Sequence, residues 1–205
     1  MIRLDKDGAL WTATLDRPDK ANALTEAMLS ELADIAEAAA CEAQVFILTG
    51  AGKVFSAGAD LEAARAGLAT SPVWERLSNA IAAFPGLSIA ALNGTVAGGA
   101  MGMVLACDIR VAAEGAKAFY PVMKLGFLPQ PSDPARLSAL IGPARAKMIL
   151  MTGQKIDTET ALAWGLFDRI SPDTESVLDT ARALAADVLS ADPAHVAGIK
   201  ALCHP

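Results

Sequence analysis

Two glycine-opened segments carry the chemistry that can be read first. They are Phe55-Ser-Ala-Gly-Ala-Asp-Leu61 and Asn93-Gly-Thr-Val-Ala-Gly-Gly-Ala-Met-Gly-Met103, each leading into a predicted helix. A backbone opened by glycine at a helix start presents N–H groups and the positive end of the helix dipole. Two such backbones can aim two N–H groups at one developing oxyanion, either an enolate or a tetrahedral oxygen. Removing one donor from such a pair typically costs about 100- to 1000-fold in rate. Taken singly, each cluster is equally well explained by close packing of a helix on a strand, which also calls for glycine.

The elements that must hold these segments follow from the hydrophobic pattern. Leu10-Trp-Thr-Ala-Thr-Leu15 alternates as a strand, Arg17-Pro-Asp-Lys breaks it, and Thr25 is placed to cap a helix with Met28, Leu29, Leu32, Ile35 and Ala36 on one face. Val45-Phe-Ile-Leu-Thr49 reads as a buried strand, followed by a helix over 61–69 and a Ser71-Pro72 break. The next helix carries Trp74, Leu77, Ala80, Ile81 and Phe84 and stops at Pro85-Gly86. Strands over 88–92 and 109–112 enclose a helix over 98–107. The recurring β, α, β order is an α/β signature. Residues 129–134, rich in proline, form a stiff turn. The organisation expected is a core over 1–172 and a short C-terminal helical segment over 173–205.

Composition limits the function classes. With 205 residues and 53% hydrophobic content the chain can bury a substantial core. No charge-free apolar stretch reaches membrane-spanning length, and the charged opening Met1-Ile-Arg-Leu-Asp-Lys-Asp does not read as a signal peptide, so the cytoplasm is expected. A net charge of −6 without a basic run argues against nucleic acid. Cys41, Cys107 and Cys203 are widely spaced and odd in number, and are read as free thiols. His195 and His204 offer neither metal-ligand spacing nor a Ser/His/Asp set, so no metal is expected. Glu62 and Glu114 read as solvated, and Met101, Met103 and Met123 as core filling.

Leu15-Asp-Arg-Pro-Asp-Lys-Ala-Asn-Ala-Leu24, Ile47-Leu-Thr-Gly50, the two glycine segments, Lys124-Leu-Gly126 and Ala161-Leu-Ala-Trp-Gly-Leu-Phe-Asp-Arg-Ile170 occur in the order seen in the crotonase family. The chain resembles that family, also called the enoyl-CoA hydratase/isomerase superfamily, from about residue 10 to 170. The resemblance implies a ββα superhelix, an acyl-CoA thioester as substrate with coenzyme A as part of it and no separate cofactor, and a homo-oligomer, trimer or hexamer. It places the two oxyanion donors at the backbone N–H groups of Ala59 and Gly99. The coenzyme A cradle would follow Arg17, Lys20, Ala21 and Ala23 on one side and Ala57, Asp60 and Leu61 on the other. Arg17 and Lys20 are otherwise ordinary solvated charges, and Asp60 is otherwise a helix N-cap. Family members usually continue through further helices that cover the acyl pocket and pack between subunits; the chain is expected to be short in that region.

The same resemblance marks where acids should stand. The hydratases of the family use one glutamate three residues past the second oxyanion donor and one after the proline of a Phe-x-x-Pro-Glu motif. These positions hold Gly102 and Val122. Neither moves a proton, and general acid–base catalysis is worth about 100- to 10,000-fold, so double-bond isomerisation is favoured over hydration, with a catalytically silent acyl-CoA-binding or regulatory protein as the alternative. Other branches put an acid after Leu-Gly-x-x-Pro, where this chain has Gln130, an amide that orients water but is no base. Asp133 is the nearest carboxylate, in a place where glycine is usual. Its favoured reading is a cap on the Pro134-Ala-Arg-Leu helix; the other is an inward turn toward the acyl pocket. Tyr120 is read as a core residue or as a hydroxyl lining that pocket.

Overall fold

The computed structural model describes residues 1–203. Chain order builds the fold in repeated turns of strand, strand, helix. β1 (Ile2–Asp7) and β2 (Leu10–Leu15) form an antiparallel hairpin, and α1 (Glu26–Glu42) returns the chain to β3 (Val45–Gly50). Each later turn gives one strand to a large sheet and a short one to a second sheet. β4 (Val54–Ser56) precedes α2 (Leu61–Arg65) and α3 (Val73–Ala82); β5 (Leu87–Leu92) and β6 (Thr95–Ala97) precede α4 (Ala100–Ala106). β7 (Ile109–Ala113) and β8 (Lys117–Phe119) lead to α5 (Val122–Leu125), α6 (Asp133–Ile141) and α7 (Pro143–Thr152). The chain closes through β9 (Ile156–Asp157), α8 (Thr158–Trp164), β10 (Arg169–Ser171), α9 (Val177–Ser190) and α10 (Pro193–Cys203).

The large sheet runs β1-β2-β3-β5-β7-β10 and the small one β4-β6-β8-β9. Apart from the antiparallel pairs β1–β2 and β8–β9, neighbours are parallel, as helical crossovers require. Both faces of the large sheet are therefore covered, and its central strands read as nearly unbroken apolar runs. Trp11, Phe46, Leu48, Ala90 and Leu92 face the main core, while Val45, Ile47, Ile89 and Val111 face Val177, Ala181 and Ala185 of α9. Helix α9 is thus laid over the sheet's second face, and Lys200 of α10 anchors to Asp108 at 2.7 Å.

Thr25 caps α1 by accepting from the N–H of Met28, as its sequence position predicts. The helix expected over 61–69 is shorter. It ends at Arg65, because Gly67 adopts φ +109° and turns the chain into a separate 3-10 turn over Leu68–Thr70.

Candidate functional site

The two glycine segments meet where the small sheet begins. β4 and β6 pair in parallel, so the turns that leave them, at Gly58 and Gly98, lie side by side. Gly58 has φ +90°, and a β-carbon there would sit 2.8 Å from the carbonyl oxygen of Ala97 and 3.4 Å from the Cα of Gly98. Only glycine permits both that conformation and that approach. The following residues, Ala59 and Gly99, are the two predicted donors. The N–H of Leu24 donates to Gly58 and that of Asp60 donates to Leu24, so the intervening Ala59 N–H points to the other side of the strand. Among the described residues, neither the Ala59 nor the Gly99 N–H has an acceptor, whereas their neighbours Gly58, Asp60 and Gly98 all do.

The predicted cradle residues come together around these turns. The Ala57 N–H donates to Ala21, and Leu24 bridges Ala59, so segment 21–24 runs as an added strand beside 57–60. Ala21 and Asn22 take positive φ, at 49° and 52°. Asn22, fully buried, holds the bend and was not singled out from sequence. Its Nδ2 donates to the carbonyls of Ala51 and Val54, and its Oδ1 accepts from the Arg17 N–H. Asn tolerates the left-handed region and hydrogen-bonds local backbone, the one available signal. Asp60 caps α2, accepting from Glu62 and Ala63, and its other oxygen pairs with Arg17 Nη1 at 2.9 Å. The Arg17 guanidinium therefore joins the two sides of the cradle and, with the capping N–H groups, holds the Asp60 carboxyl below its usual range. Lys20 is exposed, as is Leu61.

Asp133 corrects the cap expectation. The α6 helix has no side-chain cap, and Asp133, wholly buried, turns inward. Its Oδ2 accepts from the Tyr120 hydroxyl at 2.9 Å, and its Oδ1, also buried, has no partner among the described residues. The carboxylate lies against α4: a β-carbon at Gly102 would be 2.9 Å from Oδ1 and 3.2 Å from Oδ2. Two prolines, Pro131 and Pro134, and the anchoring of Ser132 fix this turn. Glu75 of α3 accepts from the Ser132 N–H at 3.0 Å and from its hydroxyl, a role hidden in an apparently solvated helix face. Burial pushes the Asp133 carboxyl up to about 6 and Glu75 adds to the rise, against the opposing Tyr120 hydrogen bond and Arg136 charge. Burial likewise drives the Tyr120 phenol far above its ordinary range, so it stays a donor.

Tyr120 is thus both buried and bonded to the acid. Gln130 shares the neighbourhood: its N–H reaches the Tyr120 hydroxyl at 3.4 Å and its Nε2 donates to Ala69 at 3.2 Å. Trp74, fixed by its indole N–H on Leu68, walls the same stripe of α4, since a β-carbon at Gly99 would lie 3.1 Å from its ring. Val122 is buried and apolar. His195 sits on α10 away from these groups, and His204 lies outside the described residues. Among the described residues no cluster of His, Cys, Asp and Glu could hold a metal, and no helix is long and apolar enough to cross a membrane. The three cysteines are free. A cleft of about 830 Å³ opens at the far end of α4, between Leu105, Leu140, Val188 and Ile199, and contains none of the paired backbone donors.

Comparison with known proteins identifies the family and the fold. Residues 5–204 match the family described as enoyl-CoA hydratase/isomerase. Carnitinyl-CoA dehydratase of Escherichia coli is 35% identical over 211 residues, covering 97% of this chain and 78% of that protein. Among solved structures, an enoyl-CoA hydratase from Bacillus anthracis superposes with TM-score 0.90 at 32% identity, covering 99% of this chain and 82% of its own. Pseudomonas aeruginosa DspI gives TM-score 0.90 at 32% identity, covering 98% and 85%. With the family matched over nearly the whole chain and the same fold recovered, this protein belongs to the enoyl-CoA hydratase/isomerase family, the crotonase superfamily.

Proposed function

We propose that the protein acts on acyl-CoA thioesters and holds the thioester oxygen, as it becomes an enolate, between the N–H groups of Ala59 and Gly99. The observation that carries the reading is the pair of unmatched N–H groups on adjoining turns, each next to a positive-φ glycine. Donors already in place need no reorganisation when charge develops, the main source of such stabilisation. Isomerisation is favoured over hydration because Gly102 and Val122 leave no carboxylate on either chain position that would handle water. The cradle of residues 17–24 and 57–61 would receive the coenzyme A portion close to main chain, with the exposed Lys20 as a cation for a phosphate. A cytoplasmic homo-oligomer is part of the same reading.

A second reading, a silent acyl-CoA-binding protein, is favoured by one observation: no acid stands at either hydratase position. Both predict that acyl-CoA raises the melting temperature, since a ligand at 100-fold excess over Kd adds about 2.7 kcal/mol. They part on turnover. Wild-type protein in D2O should exchange the α-protons of an acyl-CoA thioester, and Gly99→Val, which drives a side chain into Trp74, should abolish exchange. No shift of melting with acetyl-, crotonyl- or longer acyl-CoA would reject both.

A further inference from the structure

The orphaned Asp133 oxygen has a position that the fold does not otherwise need. Buried carboxylate oxygens are nearly always bonded, and a lone one calls for an explanation, a catalytic role among them. Oδ1 is turned to the Gly102 face of α4, three residues past Gly99. Residues three apart share a helix face, and three steps of about 1.5 Å separate them by about 4.5 Å along the axis. Oδ1 therefore lies on the side of α4 that the Gly99 N–H opens, the side along which an acyl chain with its carbonyl oxygen held there would run. A side chain at 102 would fill that space; with glycine there, the carboxylate arrives from α6 instead.

We propose that Asp133 is the single general acid–base of this protein, moving one proton between the α and γ carbons of an enoyl thioester, with Gly102 admitting its carboxylate and Tyr120 positioning it. The inference rests on the acyl-CoA reading above. In the forward direction Oδ1 takes a proton from the α-carbon of a β,γ-enoyl thioester, and the C–H electrons become the α-carbon–carbonyl double bond as the oxygen takes negative charge between Ala59 and Gly99. The carboxylic acid then returns that proton to the γ-carbon. The carbonyl reforms, the double bond moves to the α,β position, and Asp133 ends as it began. One carboxylate suffices, because no water enters the product. Glu75 cannot substitute, since its oxygens hold the N–H and hydroxyl of Ser132.

Tyr120 touches the acid through Oδ2, leaving Oδ1 for the substrate. Its hydrogen bond favours the ionised carboxylate, as does Arg136 on α6, while Glu75 on α3 opposes ionisation. Removing the Tyr120 hydroxyl should therefore move the pH midpoint upward.

The test uses the full chain with a β,γ-enoyl-CoA, following formation of the conjugated thioester and α-deuterium exchange. Asp133→Asn should lower both by about 100-fold or more, with a melting temperature no lower than that of wild type and the affinity for a saturated acyl-CoA retained. Tyr120→Phe should keep measurable turnover while its pH profile shifts upward from the wild-type midpoint, which a merely structural tyrosine would not cause. Full turnover in Asp133→Asn, or an unshifted profile in Tyr120→Phe, overturns the inference and leaves acyl-CoA catalysis standing. Wild-type protein that binds acyl-CoA but neither exchanges nor isomerises also overturns it, in favour of the silent binder. Absence of binding removes the parent reading and this one together.

Discussion

The Tyr120 hydroxyl donates to one oxygen of Asp133 at 2.9 Å while the other oxygen, equally buried, has no donor, so among the described residues a single hydrogen bond supports a carboxylate removed from water. A group so placed resists ionisation. Its folded pKa, about 6, stands above the ordinary 3.8. Below pH 4 the native and unfolded chains both hold the proton and nothing is lost. Between pH 4 and 6 the unfolded chain releases it first, and the native state loses stability, on the order of 2 to 3 kcal/mol in all. Above pH 6 the loss is constant. Asp133→Asn, which has no proton to lose and still accepts from Tyr120, should melt higher than wild type at pH 7.5 and nearly level with it at pH 4. Equal differences at both pH values in thermal melts would contradict this.

Asn22 is expected to matter more than its place in a loop suggests. Asn22→Ala leaves the Ala51 and Val54 carbonyls and the Arg17 N–H without partners and puts a β-branchless but ordinary side chain at φ 52°. Losing such buried partners costs roughly 2 to 4 kcal/mol. Asn22→Gly keeps the backbone at ease and should lose less. Denaturant midpoints of the two variants check the order.

The Asp60 carboxyl, held below its usual range, contributes stability above the unfolded value that fades as pH falls through the folded one. Asp60→Asn keeps an acceptor for the cap and loses the Arg17 ion pair; Asp60→Ala loses both. At pH 7 the alanine variant should melt lower than the asparagine one, and the gap between wild type and asparagine should narrow progressively as the pH falls below the ordinary carboxylate range. A gap that persists there would assign the difference to packing instead.

Restoring a glutamate at position 102 should fail on its own. The new β-carbon would lie 2.9 Å from Asp133 Oδ1, and two buried carboxylates would share one space. Gly102→Glu should lower the melting temperature, and adding Asp133→Gly should recover much of the loss, a non-additivity of about 1 kcal/mol or more. Additive melts would place the two side chains apart. Crotonyl-CoA hydration by the wild type is expected at background, and Gly102→Glu together with Val122→Glu, which restores both acids, is where it should first rise.

Local pattern carried much of this. Thr25 as a cap, the buried run at Val45-Phe-Ile-Leu-Thr49, and the two glycine segments are all found where their residue types place them. Strands of two or three residues, such as β4, β6, β9 and β10, are too short for any periodicity to announce. Asp133 misleads because Asp-Pro before an apolar helix is a sound capping signal, whereas its actual partner, Gly102, is thirty-one residues away and meets it only after α4 and α6 pack. Glu75 gives no signal in the sequence at all. Its spacing puts it on the polar side of α3, and only the tertiary fold brings Ser132 to that side.

Trp74 and Glu75 are consecutive residues of one helix, yet the first lies over Gly99 and the second grips the loop that carries Asp133. Because α3 spans Val73–Ala82 as one stiff rod, its first turn acts as a lever with two arms. A wider acyl group leaning on the indole would tug, through the neighbouring carboxylate, on the turn that aims the acid. With Asp133 in the proposed role, substrate girth and proton delivery would be geared to one another, and breeding a variant for bulkier acyl groups through position 74 would retune the chemistry at the same stroke.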